Sequence, residues 1–149
     1  MSHSPPVRVL VVDDSSSMRR LLASLLKADP EIEVVGEAED AYVARDLIKQ
    51  LRPDVITLDI EMPKMDGITF LGNLMRLNPM PVVMCSTLTE KGADLTMKAL
   101  DLGAVDFISK ATLRANMTNS DNLSVLQDKV KHAASQLLTN SSIIPKLST

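Results

Sequence analysis

Short runs of branched aliphatic residues alternate with amphipathic segments along this chain. Runs at residues 7–12, 55–58 and 82–85 contain almost no polar residue, and weaker runs lie at residues 31–38 and 105–109. Apolar runs of this length, bounded by turn-forming residues, are typical of strands that are buried on both faces of a parallel sheet. The pattern therefore predicts five parallel strands, the second of which is a candidate edge strand because it is less apolar.

The segments that follow the strand runs have helical spacing. Apolar residues recur every three or four positions in residues 16–28, 40–52, 66–77, 90–102 and 121–138. Ser15 or Ser16 and Asp66 stand where N-caps are expected, and Gly103 where a C-cap is expected. Five alternating strands and helices, joined by right-handed crossovers, predict a doubly wound α/β fold. Residues 111–122 form a polar connection that is longer than usual.

The 149 residues are enough for one domain with its own core. We expect that domain to span residues 1–139. Residues 140–149, NSSIIPKLST, are rich in Ser and Thr and include Pro145, which is typical of the start of an interdomain linker.

Composition excludes several classes of function. The net charge of −3 argues against a nucleic-acid-binding protein, which usually carries a basic patch. The single cysteine, Cys85, rules out an internal disulfide and is expected in the core. No apolar leader and no run of membrane-spanning length are present, so we expect a soluble, cytoplasmic protein that does not insert into membranes.

Five polar residues stand at or just after the ends of the strand runs. Asp13 and Asp14 follow the first run, Asp59 the third, Ser86 the fourth and Lys110 the fifth. Because the carboxyl ends of parallel strands lie at one edge of the sheet, we expect these side chains to converge where ligands bind in open α/β sheets.

Three carboxylates, an ammonium and a hydroxyl suit phosphoryl transfer. Carboxylates are the hard oxygen ligands that Mg²⁺ prefers, and an aspartate can accept a phosphoryl group covalently. An ammonium and a hydroxyl can hold the remaining phosphoryl oxygens. Taken singly, each residue has a simpler explanation: the acidic pair can form a polar turn, Ser86 can lie in a turn and Lys110 on the surface. The combination favours a phosphoryl site.

Four sequence blocks resemble the receiver domain of bacterial two-component response regulators over about residues 7–138: VLVVDDS, ITLDIEMPKMDG, PVVMCSTLT and LGAVDFISK. The segments EMPKMDGITFL, MPVVMCSTLTEKGAD and KALDLGAVDF are most similar to the N-terminal receiver of the chemotaxis protein-glutamate methylesterases. This resemblance implies a flavodoxin-like fold, with five parallel strands in the order 2-1-3-4-5 and five helices.

The resemblance also implies roles for the acidic residues. Asp59 would be the phosphoryl acceptor, phosphorylated by the histidine kinase of a chemotaxis system. Side chains of Asp14 and Asp59 and the backbone carbonyl of Glu61 would bind Mg²⁺, and Asp13 would act through metal-bound water. Glu61, two residues past Asp59, is also placed to influence hydrolysis of the acyl phosphate; the alternative is an exposed acidic residue of the loop.

Three further residues acquire roles by the same resemblance. Lys110 would pair with phosphoryl oxygens, Ser86 would move toward the phosphoryl group, and Phe107 would follow it inward as the switch residue. The alternative for Phe107 is ordinary core packing. The family usually has proline after the lysine, where this chain has Ala111. We therefore expect a trans Lys110–Ala111 bond, a redirected loop and a less firmly placed lysine.

The resemblance implies a methylesterase output domain that this chain does not contain. No G-x-S-x-G motif is present, and His3 and His132 are far in sequence from any candidate nucleophile, so both are expected at the surface. We expect no enzyme activity beyond phosphorylation and dephosphorylation of Asp59.

A stand-alone receiver is the alternative. An aspartyl phosphatase of the haloacid dehalogenase type fits less well, since Asp59-Ile60-Glu61 replaces its Asp-x-Asp motif. A dinucleotide site is excluded by the glycine-free DDSSS turn.

Overall fold

The computed structural model describes residues 5–87, 89–115 and 124–147. Its five strands are β1 (Val7–Val12), β2 (Ile32–Ala38), β3 (Val55–Asp59), β4 (Val82–Ser86) and β5 (Asp106–Ser109). Its six helices are α1 (Ser16–Lys27), α2 (Ala41–Leu51), α3 (Gly67–Leu77), α4 (Glu90–Leu102), α5 (Lys110–Ala115) and α6 (Ser124–Leu147).

The strands form one parallel sheet in the order β2-β1-β3-β4-β5. This confirms the expected doubly wound, flavodoxin-like sheet, including the edge position of β2. The order reverses between β1 and β3, so the carboxyl ends of these neighbouring strands flank the switch point at which such sheets bind ligands.

Two hydrophobic layers cover the sheet, because successive side chains of a strand point to opposite faces. Leu10, Leu58 and Met84 belong to the layer that also contains Ile48 of α2 and Leu71 of α3. Val9, Val83 and Cys85 belong to the other layer, with Leu22 of α1 and Leu126 of α6. Cys85 is buried, as expected.

Local capping fixes most helix ends where the sequence places them. The side chain of Ser15 accepts a hydrogen bond from the amide of Met18, and that of Asp66 accepts one from the amide of Thr69. Gly103 ends α4 in a left-handed conformation with φ of 119°. The N-cap of α2 is Asp40, which accepts hydrogen bonds from two backbone amides.

The expectation of five helices is wrong, because α5 lies in the segment that we predicted to be a polar connection. The side chain of Leu113 on this helix is completely buried. The Ser109 hydroxyl accepts a hydrogen bond from the amide of Thr112 at 3.0 Å and so caps the first turn. One buried leucine and one serine cap are sufficient to stabilise this short helix because it packs on a core that other elements build.

Helix α6 continues to Leu147, past the boundary that we expected at residue 139. The assignment of residues 140–149 as the start of a linker stays a prediction. Residues 121–123, the predicted start of the last helix, and His3 lie outside the described residues, and His132 is exposed as expected. No helix of the described ranges combines the length and the apolar character needed to cross a membrane.

Candidate functional site

The sequence-predicted site residues are positioned by strand ends at one edge of the sheet. Asp13 directly follows β1, and Asp59 and Ser86 are the last residues of β3 and β4. Asp59 is in register with Cys85, and Ser86 with Ser109, the residue before Lys110. The parallel register therefore brings together residues from four separate strand ends.

Asp59 is almost completely buried, with 2% of its surface exposed. Its Oδ1 accepts a hydrogen bond from the backbone amide of Glu61 at 3.2 Å and lies 2.9 Å from Nζ of Lys110. The side chain is thus held from two directions at the end of a central strand. Its second oxygen, Oδ2, is buried and has no hydrogen-bond partner in the described part of the chain.

Asp13 and Asp14 differ in environment although they are adjacent. Asp13 is fully buried: its Oδ1 accepts a hydrogen bond from the amide of Ser15 at 2.9 Å, and its Oδ2 lies 3.5 Å from Nζ of Lys110. Asp14 is exposed. Oxygens of Asp13, Asp14 and Asp59 nevertheless lie within 4.8 Å of one another, so the three carboxylates form one cluster with an open side at Asp14.

Lys110 is the cation that faces this cluster. Burial alone would lower its pKa, but the hydrogen bond and charge of Asp59, together with the charge of Asp13, outweigh burial and raise the pKa. The described part of the chain has no cis peptide bond, so the Lys110–Ala111 bond is trans, as expected. The redirected loop and the less firm placement of the lysine stay predictions; in this structure helix α5 begins at Lys110, and two carboxylates lie within 3.5 Å of its ammonium.

The two buried carboxyl groups have raised pKa values. Removal from water raises the pKa of Asp59 to about 7, against the opposing effect of Lys110, and the charge of Asp13 adds to the rise. Burial also raises the pKa of Asp13, although the Ser15 amide and Lys110 oppose this. A single lysine therefore does not compensate two buried carboxylates, and the site favours an additional positive charge.

The donor set fits a divalent cation. Oδ2 of Asp13 and Oδ2 of Asp59 are buried carboxylate oxygens for which the described residues provide no hydrogen-bond partner. Buried polar atoms of this kind are rare and costly unless a ligand or ion satisfies them. An all-oxygen cluster with one open side suits a small hard cation such as Mg²⁺, which keeps several of its waters.

Ser86 and Phe107 lie on neighbouring strands near this edge. Ser86 is buried, and Phe107 is in register with Met84 on β4. The ring of Phe107 is 42% exposed, with Nζ of Lys129 5.8 Å from its centroid. The core-packing alternative for Phe107 is therefore wrong in this structure, where the ring faces outward beside α6.

Two residues that support the site were missed in the sequence. The guanidinium of Arg19 on α1 donates to the backbone carbonyl of Asp13 at 2.6 Å and so braces the acidic turn. A Cβ atom at Gly67 would collide with the carbonyl oxygen of Asp59, so only glycine lets α3 begin so close to β3. Gly67 could have been noticed in the sequence because it directly follows the predicted N-cap Asp66, whereas no sequence feature pointed to Arg19.

Comparison with known proteins identifies the class. The family described as response regulator receiver domain matches residues 9–120. The chain belongs to this family. Among solved structures, the response regulator domain of Thermotoga maritima CheB matches with a TM-score of 0.76 and 42% identity, over 87% of this chain and 97% of that one.

Curated relatives indicate the branch of the family. A protein-glutamate methylesterase/protein-glutamine glutaminase of Hydrogenovibrio crunogenus is 60% identical over 86% of this chain and 34% of its own length. One from Vibrio vulnificus is 50% identical over 98% of this chain and 43% of its own length. The chain is thus homologous to the receiver part of such methylesterases and spans less than half of their length.

Proposed function

We propose that this chain is a phosphoryl-accepting receiver in which Asp59 takes a phosphoryl group from the phosphohistidine of a chemotaxis histidine kinase. One observation carries this proposal: the buried Asp59 carboxylate forms an ion pair with Lys110 through one oxygen and, among the described residues, has no hydrogen-bond partner at the other, beside two further carboxylates. Such an arrangement positions a nucleophile among groups that neutralise an incoming phosphoryl group.

In the proposed transfer, a carboxylate oxygen of Asp59 attacks phosphorus. A phosphorus–oxygen bond forms, the phosphorus–nitrogen bond breaks, and the ring nitrogen of the kinase histidine keeps the electron pair. The Lys110 ammonium, 2.9 Å from Asp59, is placed to pair with an equatorial phosphoryl oxygen. Attack requires ionised Asp59, and its pKa of about 7 in the metal-free chain means that a nearby cation favours the reactive form.

Mg²⁺ would be held by side chains of Asp14 and Asp59 and by the backbone carbonyl of Glu61, with Asp13 acting through water. When bound, the cation would neutralise charge on the carboxylates and on the phosphoryl oxygens. The open side of the cluster at exposed Asp14 gives it a route from solvent.

Signal transmission would use Ser86 and Phe107. We propose that the Ser86 hydroxyl moves toward the phosphoryl group and that the outward ring of Phe107 follows it inward. The face formed by α4, β5 and α6 would change with them, and its exposed apolar residues Met97, Leu102 and Phe107 are available for contact with a partner. A local charge change would then bias a two-state element.

The regulated output would be a protein-glutamate methylesterase domain of a longer parent protein. This rests on the relatives, which carry that name and extend well beyond the region matched here. In the parent, the unphosphorylated receiver would obstruct the esterase domain and phosphorylation would relieve the obstruction. The chain itself would catalyse only phosphorylation and dephosphorylation of its own aspartate.

The test is incubation with acetyl phosphate and Mg²⁺, followed by intact-mass measurement and a phosphate-affinity gel. We expect one phosphoryl group on the wild type, removed by hydroxylamine as an acyl phosphate should be, and none on Asp59→Asn. The matched control is Asp46→Asn, which changes an exposed carboxylate on α2 and should label normally. Labelling of Asp59→Asn at the wild-type level would overturn the assignment.

A further inference from the structure

A groove between α2 and α3 is separate from the carboxylate site. It contains a cavity of about 310 Å³, lined on one side by Tyr42 and Ile48 of α2 and on the other by Phe70, Leu74 and Leu77 of α3. None of these residues belongs to the carboxylate cluster. The floor of the groove is therefore apolar and is built by two helices of the same sheet face.

The groove continues past the C-terminal end of α2. A second cavity, of about 490 Å³, shares Ile48, Lys49 and Asn78 with the first and extends to Pro53 and Met80. Helix α2 has 11 residues, which corresponds to a length of about 16 Å. The groove is thus long enough for about three turns of a docked helix.

Leu77 is the most accessible apolar residue of this surface, with 74% of its surface exposed. A single exposed leucine is normal on a protein surface. Here, however, it lies beside Tyr42, which is 43% exposed and lines the same cavity. Because these two large apolar side chains are exposed on the two walls of one groove, they form a continuous apolar surface that a partner can contact.

The groove is rich in basic side chains. Its basic side chains are Arg45, Lys49 and Arg52 of the α2 region, at i, i+4 and i+7, and Arg76 of α3. Among the residues that the structure describes, no acidic one lines either cavity, although the whole chain has a net charge of −3. The groove is therefore a basic, apolar surface on an acidic protein.

Most of these cations have no acidic partner. Arg45 lies 3.6 Å from Asp46 and stacks over the Tyr42 ring at 5.6 Å. Among the described residues, Lys49, Arg52 and Arg76 form no ion pair. Three unpaired cations around an apolar floor complement a ligand with an apolar face and acidic flanks.

We propose that the groove between α2 and α3 is a docking surface for an acidic amphipathic helix of a partner protein. Apolar side chains of that helix, at i, i+3, i+4 and i+7, fill the cavities between Tyr42 and Leu77. Its acidic flanks pair with Lys49, Arg52 and Arg76. Helix-in-groove docking of this kind uses an apolar groove, and a charged rim of opposite sign adds specificity.

The test uses a fluorescein-labelled synthetic peptide of about three helical turns, with leucines at helical spacing and glutamates on both flanks. Two further peptides are a scrambled version and a version with lysines in place of the glutamates. With the full 149-residue chain, we expect saturable binding of the acidic peptide by fluorescence anisotropy, weakened by salt. Amide chemical-shift changes should map to α2 and α3.

Variants locate the binding. Leu77→Ala removes an exposed apolar contact and should weaken the acidic peptide about tenfold, and Lys49→Glu should weaken it about five- to tenfold. The control for charge is Lys27→Glu, which makes the same charge change at an exposed residue of α1 and should leave the affinity for the acidic peptide unchanged. Because Lys49 and Leu77 are exposed, both variants should fold, which their circular dichroism spectra will verify.

Several results would overturn the proposal. The first is equal affinity for the lysine and glutamate peptides. The second is amide chemical-shift changes that map outside α2 and α3. The third is a loss of peptide affinity in Lys27→Glu equal to that in Lys49→Glu. Concentration-dependent dimerisation abolished by Leu77→Ala would assign the groove to a second copy of the chain. Binding to phosphatidylglycerol vesicles, or to a DNA oligonucleotide, in preference to the acidic peptide would assign it to a membrane or to nucleic acid.

Discussion

The ammonium nitrogen of Lys110 lies 2.9 Å from Oδ1 of Asp59 and 3.5 Å from Oδ2 of Asp13, so one cation joins the ends of three strands. This leaves a net excess of buried negative charge in the metal-free chain. The same imbalance that would attract Mg²⁺ and a phosphoryl group therefore lowers the stability of the chain when neither is bound.

The stability of the metal-free chain should depend on the protonation of Asp59. Burial raises its pKa from 3.8 to about 7, so the folded state binds this proton more tightly than the unfolded state. Its stabilising contribution is complete below about pH 4 and is lost as pH rises through about 7. Urea unfolding with EDTA should show that Asp59→Asn gains stability relative to wild type as pH rises over this interval.

Asp29 provides a control of opposite sign. The hydrogen bond from Lys131 lowers the pKa of Asp29 below its usual value of 3.8. Its contribution is therefore present above about pH 4 and is lost as pH falls through the lowered pKa. Asp29→Asn should lose stability at neutral pH and approach the wild type in acid. Parallel pH profiles for Asp59→Asn and Asp29→Asn would contradict both assignments.

Replacement of Lys110 by methionine should destabilise the metal-free chain and strengthen Mg²⁺ binding. The substitution keeps the apolar stem but leaves two buried carboxylates unpaired. We expect a loss of about 3 kcal/mol, since removal of one partner of a buried ion pair is costly and proton uptake relieves only part of it. Thermal unfolding with increasing Mg²⁺ should show a larger stabilisation than in the wild type.

Lys64→Met is the matched control, because the Lys64 side chain is 63% exposed in its ion pair with Asp40. An exposed pair contributes at most about 1 kcal/mol. Equal losses in the two variants would mean that the buried position of Lys110 is irrelevant.

Asp14→Ala should separate metal binding from folding. Because Asp14 is exposed, its loss should leave the metal-free stability unchanged or slightly higher, as one repulsive carboxylate disappears from the cluster. The stabilisation by Mg²⁺ should vanish, and most labelling by acetyl phosphate with it. Titration calorimetry and the phosphate-affinity gel measure the two effects. Wild-type Mg²⁺ affinity in Asp14→Ala would show that the metal site is misplaced.

Two buried threonines test the cost of an unsatisfied hydroxyl. Oγ1 of Thr57 on β3 is buried and finds no hydrogen-bond partner among the described residues, whereas Oγ1 of Thr96 on α4 donates to the carbonyl of Gly92 at 2.8 Å. Replacement by valine keeps the shape in both cases. Thr57→Val should raise the free energy of unfolding by about 1 kcal/mol, whereas Thr96→Val should not. Chemical denaturation measures the free energy of unfolding of both variants. A loss of stability in Thr57→Val would mean that its hydroxyl has a hydrogen-bond partner.

The sequence alone determined the number of strands and the residues at their ends. A short apolar run such as Val82 to Cys85 is enough to predict a strand that is buried on both faces of a sheet. The carboxyl ends of parallel strands then lie at one edge of that sheet. The convergence of Asp13, Asp59 and Lys110 was therefore predictable before any contact was known. Caps at Ser15, Asp66 and Gly103 were equally predictable, since they depend on residues only a few positions away.

The order of the strands was not in the pattern. Alternating runs do not state which strands are neighbours, and the order 2-1-3-4-5 came from the resemblance to receiver domains. Helix α5 was missed because its stability depends on the burial of Leu113 in a core built by other elements. The position of the Lys110 ammonium likewise depends on two carboxylates that are distant in sequence.

Tertiary structure alone decided what surrounds each functional group. The hydrogen bond from Arg19 to the Asp13 carbonyl, the close approach of Gly67 to Asp59 and the groove between α2 and α3 all join residues far apart in the chain. Burial and charge at such places are sums over neighbours from several elements. A linear pattern records the identity of each residue and its local period, and the fold supplies the neighbours that determine its pKa and its partners.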